Sequence, residues 1–521
     1  MPERPHDRSR RHGPARRHRV QERTTRRAPA DPAAIAAALL PRDDLVAERE
    51  VAPGVFEARE GPVRHYRRTV VVSDDGAGGA TLTQTLEYRL AVPYFAWLFR
   101  LPFGRALGRP PRARPPWWAP PARLDARAAT VLGLLAALAV VFGYLNTLFS
   151  QTVAFAAEQF SASNTAQGVA GGVVRGGGLV ALAVAAGADR VGRRPVILAT
   201  AWSAVVATAT GALAPSLAGL AASQVVARGL GTALLLLVGI VAAEEVPAGT
   251  RAYAVSLLAM AGGVGAGGAV LALSLAELGP GAWRILYLLP LAAAPGLLHV
   301  GRHLPESRRY AVARRAPASA TTRSRLLLLA VSGLLTSLFV APQSQFNNRF
   351  LRTERGFSAP RISLLTIVSG LPGSVGIVLG GRIADVRGRR VVAAVALVGG
   401  TLATVAYFAS RGWPLWVWPT VGTALSAAAI PALGVYGPEL FPTARRGRAN
   451  GLVAVCGLVG SAAGLLAAGA LSDRLGSLAP AMAILGVGPL LVAALVVLAY
   501  PETAGQELEA LNPEDRAAPG P

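Results

Sequence analysis

The sequence predicts an all-α membrane protein of twelve transmembrane helices, arranged as two six-helix repeats and preceded by a small N-terminal region with a β-hairpin. Of the 521 residues, 52% are hydrophobic and only 16% are charged, whereas an ordinary soluble protein carries about 25% charged residues. The apolar residues form long runs, and three short motifs recur at a separation of 195 or 196 residues. These observations make a soluble enzyme an unlikely class and predict a duplicated set of membrane helices.

The apolar runs lie one after another from residue 128 to residue 500. A helix needs about 20 mainly apolar residues to cross roughly 30 Å of hydrocarbon. Many runs are rich in Gly and Ala, as in 169–178 and 261–268, which favours close helix packing in lipid. The predicted spans are 128–150, 165–187, 195–214, 216–243, 252–276, 282–303, 325–347, 361–381, 390–410, 413–437, 449–471 and 479–500.

The distribution of charge predicts the orientation of these helices. The formal net charge is +23, and all 52 basic residues are Arg. The loops on one side hold 18 Arg and those on the other side hold six. Since basic loops stay in the cytoplasm, we expect a plasma-membrane protein with both termini cytoplasmic. A nucleic-acid partner is excluded because the Arg residues flank apolar runs and do not form one basic face.

The first 127 residues belong to a different kind of structure. We expect residues 1–30 to be a disordered, Arg-rich tail and residues 31–127 to form a small cytoplasmic region. Two alternating runs, 65–73 and 80–90, flank a Gly-rich stretch and predict a β-hairpin. The aromatic segment 93–102 is too short to cross and is expected in the membrane interface, with Trp117 and Trp118 at headgroup level.

Three repeated motifs divide the rest of the chain into two halves. Asp189-Arg-Val-Gly-Arg-Arg194 recurs as Asp385-Val-Arg-Gly-Arg-Arg390. Glu244-x-x-Pro-x-x-x-Arg251 recurs as Glu439-x-x-Pro-x-x-x-Arg446, and Pro305-Glu306 recurs as Pro501-Glu502. The order and spacing predict a first six-helix half at 128–310, a cytoplasmic linker at 311–324, a second half at 325–505 and a cytoplasmic tail at 506–521.

On these motifs the chain resembles the major facilitator superfamily, and within it the sugar-porter and metabolite/proton symporter branches. The Asp-x-x-Gly-Arg-Arg loops look like the cytoplasmic loop motif of the superfamily, with its leading glycine at Gly381 in the second copy and Ala185 in that place in the first. Pro438–Arg446, Leu304–Arg308, Trp283-Arg284 and 501–509 are similar to sugar-porter elements. The resemblance implies the major facilitator fold and alternating access between two rocking halves.

The repeated charges predict a gate at the cytoplasmic ends of the two halves. Acids and guanidiniums at these helix ends can pair across the halves, and the planar fork of Arg binds a carboxylate at two points. The alternative is that they serve only topology and helix capping. The predicted gate residues are Asp189, Arg193, Arg194, Glu244, Arg251, Asp385, Arg389, Arg390, Glu439 and Arg446.

Two Arg residues within the spans are candidates for binding the solute. Arg175 and Arg228 lie fourteen and sixteen residues before Asp189 and Glu244, which is about 21 Å and 24 Å of helical rise. A charge in the membrane costs at least about 2.5–3.5 kcal/mol and is a functional candidate by default, although snorkelling or a tie to backbone carbonyls would also explain it. Polar residues at similar depth complete the predicted site: Tyr144, Asn146, Gln343, Gln345 and Asn347.

Other residue types limit the chemistry. Cys456 is the only cysteine, so disulfides and cysteine metal sites are excluded; we expect no cofactor, no metal and no enzymatic activity. No Asp, Glu or His lies in the middle of a span, which leaves proton coupling open. Four Arg in the loop 349–361 lie on the outer side and are either an attractor for anions or a solvated loop.

The sequence therefore predicts a secondary transporter, expected as a monomer among membrane lipids, that moves a small polar or anionic organic solute such as a sugar, an organic acid or an aromatic acid. Two alternatives remain open. One is efflux of drugs or metabolites. The other is a transporter-like sensor that signals to a cytoplasmic partner through the N-terminal region.

Overall fold

The computed structural model describes residues 21–27, 31–74, 80–111, 115–116, 118–162, 164–308, 322–357, 359–442 and 445–512. The chain forms two compact units. One comprises Met1–Arg114 with Asp125–Arg127, and the other comprises Pro115–Leu124 with Ala128–Pro521. Residues 115–124, which the sequence analysis assigns to the N-terminal region, thus belong to the membrane unit.

The N-terminal unit is built on a five-stranded antiparallel sheet with strand order β1-β5-β4-β3-β2. Its helices are α1 (Pro32–Ala38) and α2 (Ala96–Leu107). The predicted hairpin is confirmed as the β4–β5 pair, while the Gly-rich stretch at 75–79 lies outside the described residues. The strands are β1 (Gln21–Arg27), β2 (Ala47–Ala52), β3 (Val55–Glu60), β4 (Val63–Asp74) and β5 (Ala80–Leu90).

Strand β1 corrects the expectation of a wholly disordered tail. Residues 21–27 pair antiparallel with β5, from Gln21 opposite Tyr88 to Arg27 opposite Leu82. A strand this polar buries almost no apolar surface of its own. Its backbone groups are satisfied by the edge of a sheet that other residues build, and composition does not reveal that. Residues 1–20 and 28–30 of the predicted tail lie outside the described residues.

A buried ion cluster joins the sheet of the N-terminal unit to its loops. The Nη2 atom of Arg68 donates to Oε2 of Glu48 at 2.6 Å, and the hydroxyl of Tyr66 donates to Oε1 of the same carboxylate. Burial, together with the nearby carboxylate, raises the pKa of Tyr66 well above its ordinary value. Arg68 is only 1% exposed and also donates to the carbonyl of Ala38, so no polar group of the cluster depends on water.

The described residues of the membrane unit form helices that are joined by short connections. Its first half contains α3 (Ala126–Gln159), α4 (Asn164–Gly176), α5 (Gly178–Val191), α6 (Arg193–Thr210), α7 (Leu217–Glu245), α8 (Arg251–Ala272), α9 (Trp283–Leu288) and α10 (Ala294–His303). Its second half contains α11 (Thr322–Arg349), α12 (Ala359–Arg387), α13 (Arg389–Ala409), α14 (Pro414–Gly434), α15 (Tyr436–Glu439), α16 (Arg446–Leu475), α17 (Leu478–Leu485), α18 (Val487–Ala499) and α19 (Leu508–Leu511).

Eleven helical stretches of the described residues are long and apolar enough to cross a membrane, against the twelve predicted. The predicted second span, 165–187, is not among them. This stretch comprises α4 and α5, of 13 and 14 residues, which meet at Gly177, and the side chains of 163–169 lie outside the described residues. The predicted linker lies outside the described residues as far as residue 321, and α11 begins at Thr322.

Glycines set the closest helix crossings, as the Gly-rich runs predict. A Cβ atom on Gly143 of α3 would lie 1.8 Å from the carbonyl oxygen of Gly262 in α8. In the second half, a Cβ on Gly460 of α16 would lie 2.2 Å from the carbonyl oxygen of Leu334 in α11. Backbones this close exclude any side chain. Dispersion contacts between the helices then replace the hydrophobic drive that lipid does not supply.

Candidate functional site

The two Asp-x-x-Gly-Arg-Arg motifs form matching turns, between α5 and α6 and between α12 and α13. Their glycines adopt positive φ, 127° at Gly192 and 104° at Gly388, a region that residues with a side chain rarely occupy. A carboxylate approaches each glycine. A Cβ atom on Gly192 would lie 2.9 Å from Oε2 of Glu306, and one on Gly388 would lie 2.8 Å from Oε2 of Glu502.

These two carboxylates cap the helices that follow the turns. Glu306 accepts the backbone N–H groups of Arg193 and Arg194, at 3.0 and 3.2 Å. Glu502 accepts those of Arg389 and Arg390 at the same two distances. The carboxylate meets the first free N–H groups of α6 and α13, where the helix dipole favours negative charge.

The ionisation of Glu502 reflects this geometry. Burial opposes ionisation, but the N–H groups donated by Arg389, Ala504 and Arg390 outweigh it and lower the pKa of Glu502 below its ordinary value. The Pro-Glu repeat was visible in the sequence, but its capping role was not predicted. The sequence signal that could have revealed this role is a Glu that follows the first Arg of each helix at the same separation, 113 residues.

Next to the turns, two buried glutamates pair across the halves. Glu439 of the second half accepts from Nη1 of Arg251 of the first half at 3.3 Å. Glu244 of the first half accepts from Nη1 of Arg446 of the second half. All four side chains are fully buried. The two ion pairs are reciprocal, since each half supplies one acid and one guanidinium.

Each glutamate also binds an Arg of its own half. The side chain of Arg389 donates to Glu439 and to Asp385, and Nη2 of Arg193 lies 3.9 Å from Oε1 of Glu244. Two guanidiniums therefore converge on each carboxylate, one from the same half and one from the other. The attraction of two guanidiniums to one carboxylate opposes the cost of burying these charges.

Asp385 adds a contact of a different kind between the halves. Its two carboxylate oxygens accept the N–H groups of Ala252 and Tyr253, at 3.3 and 3.0 Å, at the start of α8. One turn earlier, a Cβ on Gly381 would lie 2.8 Å from the carbonyl oxygen of Ala252. The leading glycine of the motif thus allows α12 and α8 to touch, and Asp385 caps the helix of the other half.

Two predicted gate residues, Arg194 and Arg390, bind backbone carbonyls of their own half. Arg194 donates to the carbonyl of Gly301 at 2.7 Å and Arg390 donates to that of Val497, each within its own half. The side chain of Asp189 lies outside the described residues. The side chains of Arg194 and Arg390 thus lie along the last helix of their own half, and their role in the gate stays a prediction.

The segment predicted as a C-terminal tail contacts the same ion pairs. Nη1 of Arg251 donates to the carbonyl of Gln506 at 2.9 Å, and its Nη2 lies 3.5 Å from the carboxylate of Glu507. Nδ2 of Asn512 donates to the carbonyl of Glu439 at 2.7 Å. Residues 506–512 are therefore an ordered part of the charged cluster. The remainder of the predicted tail, 513–521, lies outside the described residues.

The two intramembrane Arg residues lie on neighbouring helices of the first half. Arg228 in α7 is partly buried, and its Nη1 donates to the backbone carbonyl of Asn146 at 3.3 Å. Arg175 lies in the last turn of α4 and is close enough to repel the charge of Arg228. The approach is possible because a Cβ on Gly177 would lie 2.0 Å from the carbonyl of Val225, so α7 packs directly on the break between α4 and α5.

Three of the five predicted polar residues form side-chain contacts within their own halves. The hydroxyl of Tyr144 donates to the carbonyl of Leu286 at 2.9 Å. Nε2 of Gln343 lies 3.4 Å from the hydroxyl of Thr404, and Oδ1 of Asn347 accepts from Tyr407 at 2.8 Å. Asn146 binds Arg228 through its backbone carbonyl. The side chain of Gln345 lies outside the described residues.

Comparison with known proteins agrees with this architecture. Residues 329–519 match the family model described as Major Facilitator Superfamily. This part of the chain is therefore similar to the superfamily. No curated protein matches the sequence.

Solved structures of the superfamily share the fold over most of their length. The human organic anion transporter MFSD10 (TETRAN) is 17% identical over 70% of this chain and 98% of its own, with a TM-score of 0.60. The proton:xylose symporter XylE is 18% identical over 74% of this chain and 99% of its own, with a TM-score of 0.65. The transporter FucP, in the outward conformation, is 13% identical over 72% of this chain and 100% of its own, with a TM-score of 0.56.

The outer Arg cluster is only partly compatible with a role in attracting anions. Nε and Nη2 of Arg355 donate to the carbonyls of Ser410 and Phe408, at 2.8 and 2.9 Å, and burial lowers its pKa from the ordinary value. Arg355 thus closes the C-terminus of α13. Arg361 is exposed and stacks over Phe357. Within the described ranges, no three His, Cys, Asp or Glu side chains come together as a metal site.

Proposed function

We propose that this protein is a transporter of the major facilitator superfamily that moves a small polar or anionic organic solute by alternating access between two six-helix halves. The observation that carries the proposal is the reciprocal pair of buried cross-half contacts, Arg251 with Glu439 and Arg446 with Glu244. They lie at the end of the bundle that holds the Arg-rich loops. By the positive-inside rule this end is cytoplasmic, which makes the described conformation closed to the cytoplasm.

The charged cluster is suited to a reversible closure. Buried ion pairs gain Coulomb energy and lose hydration, so the net energy of forming them is small compared with either contribution. Each carboxylate keeps an Arg of its own half when the halves separate, so no acid is left alone in the open state. The two states can therefore be close in free energy, as a carrier requires.

The solute is assigned to an anionic or polar organic class because of Arg175 and Arg228. Two guanidiniums that repel each other on adjacent helices are stabilised by a bound carboxylate or other anion, which cancels their repulsion. Two solved relatives transport an organic anion and xylose, respectively, by their descriptions. The proposed site comprises these two Arg with Tyr144, Asn146, Gln343, Gln345 and Asn347.

Uptake by the purified full chain in liposomes tests the proposal. The panel consists of sugars, aliphatic acids and aromatic acids, each with and without a pH gradient. We expect saturable accumulation of one acid or sugar class. Acceleration by an inward proton gradient would assign proton coupling. Saturable movement only of lipophilic drugs would favour the efflux alternative, and binding without flux of any compound would contradict transport.

The folded N-terminal unit favours a second candidate, the transporter-like sensor. A sheet of five strands with a buried Arg68–Glu48 pair is more structure than a targeting tail needs. A sensor would bind its solute and change conformation without net flux. Tracer flux and distance changes measured on the same full-length sample separate the two functions.

A further inference from the structure

The chain enters the membrane unit through a short segment that contacts both halves. This segment, residues 115–124, is here called the strap; it follows the N-terminal unit in sequence and precedes α3. Its residues other than 117 are described. Ala119 is 1% exposed and Leu124 is 6% exposed, so the strap is packed into the unit and is not a free linker.

The second half binds the strap through Arg382 of α12. One guanidinium nitrogen of Arg382 donates to the carbonyl of Ala119, and Nη2 donates to the carbonyl of Pro115 at 2.8 Å. Both terminal nitrogens of the guanidinium thus donate to the strap. Charge-assisted bonds to backbone carbonyls are the stronger kind of hydrogen bond.

The first half binds the strap through the start of α8. The hydroxyl of Tyr253 donates to the carbonyl of Trp118. The hydroxyl of Thr250 donates to the carbonyl of Ala122 at 3.0 Å and accepts its N–H at 3.0 Å. Tyr253 is 2% exposed and Thr250 is fully buried, so these bonds are shielded from water.

The two anchor points flank the seam between the halves. Arg382 follows Gly381, whose backbone touches α8, and lies less than one turn before Asp385, which accepts the N–H of Tyr253. A strap bound at both points therefore bridges contacts that must separate when the halves part. We propose that the strap is a latch: it holds the cytoplasmic side closed, and it must leave at least one anchor for that side to open.

The latch gives the N-terminal unit a route to the transport cycle. The strap is continuous in sequence with the end of that unit, so a partner that pulls residues 115–119 off Arg382 shifts the carrier toward the inward-open state. This inference rests on the proposed alternating access. It does not depend on which solute is carried.

Distances between the halves in the full-length protein test the latch. Spin labels at Val191→Cys and Val386→Cys, in a Cys456→Ser background, report opening from exposed helix ends of the two halves in lipid nanodiscs. Tyr253→Phe with Thr250→Val removes the two hydroxyls by which the first half binds the strap, and Arg382→Met removes the fork of the second half but keeps the length. We expect each to raise the ratio of inward-open to closed molecules about tenfold, which corresponds to about 1.4 kcal/mol.

The combined variant gives the sharper result. A strap that bridges the halves loses its effect when either anchor is lost, so the first-half variant Tyr253→Phe/Thr250→Val together with Arg382→Met should match either of the two alone. Two independent stabilising contacts would instead multiply to about a hundredfold. Multiplication, or wild-type distances for either of the two alone, would overturn the proposal.

Two controls separate the latch from other effects. Tyr287→Phe removes a buried hydroxyl that bonds Thr152 within the first half, and should leave the distances unchanged; if it also opens the protein, the opening is nonspecific and the latch is wrong. Glu439→Gln should open the gate without touching the strap. If Glu439→Gln opens it and the strap variants do not, only the latch fails. If no variant opens it, the alternating access on which the latch rests fails as well.

Discussion

Replacing Glu439 by Gln should open the cytoplasmic side without unfolding the protein. The carboxylate is fully buried and binds Arg389 of its own half and Arg251 of the other. The contact with Arg389 lies within one rigid half and is present in both states, so it cancels from the difference. Only the contact with Arg251, at 3.3 Å, contributes to the balance between the closed and open states.

The magnitude follows from that one contact. Coulomb attraction at 3.3 Å with an effective dielectric constant of about 20 is about 5 kcal/mol, which is a ceiling because desolvation opposes it. A charged hydrogen bond has a net value of about 1.5–3 kcal/mol. We therefore expect about 2 kcal/mol, or a rise of about thirtyfold in the ratio of open to closed molecules.

The label pair at residues 191 and 386 measures this ratio, and a thermal unfolding curve checks that the variant folds. The matched control is Glu354→Gln. Its carboxylate accepts the hydroxyl of Ser477 and the N–H of Leu478 within the second half, so the distances should not change. A lower melting temperature for Glu439→Gln with unchanged distances would refute the gating role and leave a purely structural ion pair.

Four further predictions concern separate parts of the molecule. Arg228→Lys keeps the charge but loses the two-point fork; we expect normal folding and about tenfold weaker solute binding, about 1.4 kcal/mol, and normal uptake would remove Arg228 from the site. Cys456 within α16 should resist membrane-impermeant thiol reagents in intact cells, and rapid labelling would contradict the placement of that helix. The pKa of Glu502 is lowered in the folded state, so its stabilising contribution is present above the ordinary Glu pKa of about 4.3 and is lost as the pH falls through the lowered value. Glu502→Gln should therefore make the melting temperature fall less steeply at acid pH. An unchanged pH profile would show that the cap does not titrate. Trp97 on α2 is 66% exposed in the segment predicted to lie in the interface; its fluorescence, isolated by comparison with Trp97→Phe, should be quenched by brominated lipids in full-length liposomes, and no difference would place this face in water.

The positions of the helices could be predicted from the sequence because an apolar run must reach a minimum length to cross the bilayer. The predicted span 195–214 corresponds to α6, Arg193–Thr210, and the predicted span 390–410 to α13, Arg389–Ala409. The close packing at Gly177 could not be predicted from the sequence. Nothing in the local pattern shows that Val225 of α7 approaches the backbone of Gly177 so closely.

The repeated motifs likewise pointed to Glu244, Arg251, Glu439 and Arg446, but not to the partner that each one binds. Glu439 and Arg251 are 188 residues apart, and Glu244 and Arg446 are 202 apart. Such pairs depend on the packing of two halves, so a pattern within either half cannot predict them. The sequence also does not show that Arg194 and Arg390, which belong to the repeated motifs, bind carbonyls of their own half.

Composition determined that this protein lies in a membrane, and Arg placement predicted which side faces the cytoplasm. Only the tertiary structure decided that polar residues 21–27 are a strand, that Glu306 and Glu502 cap helices, and that the strap binds Arg382 and Tyr253. The physical reason is the same in each case. Their partners are backbone groups supplied by distant segments, and a backbone amide or carbonyl leaves no trace in the identity of the residue that carries it.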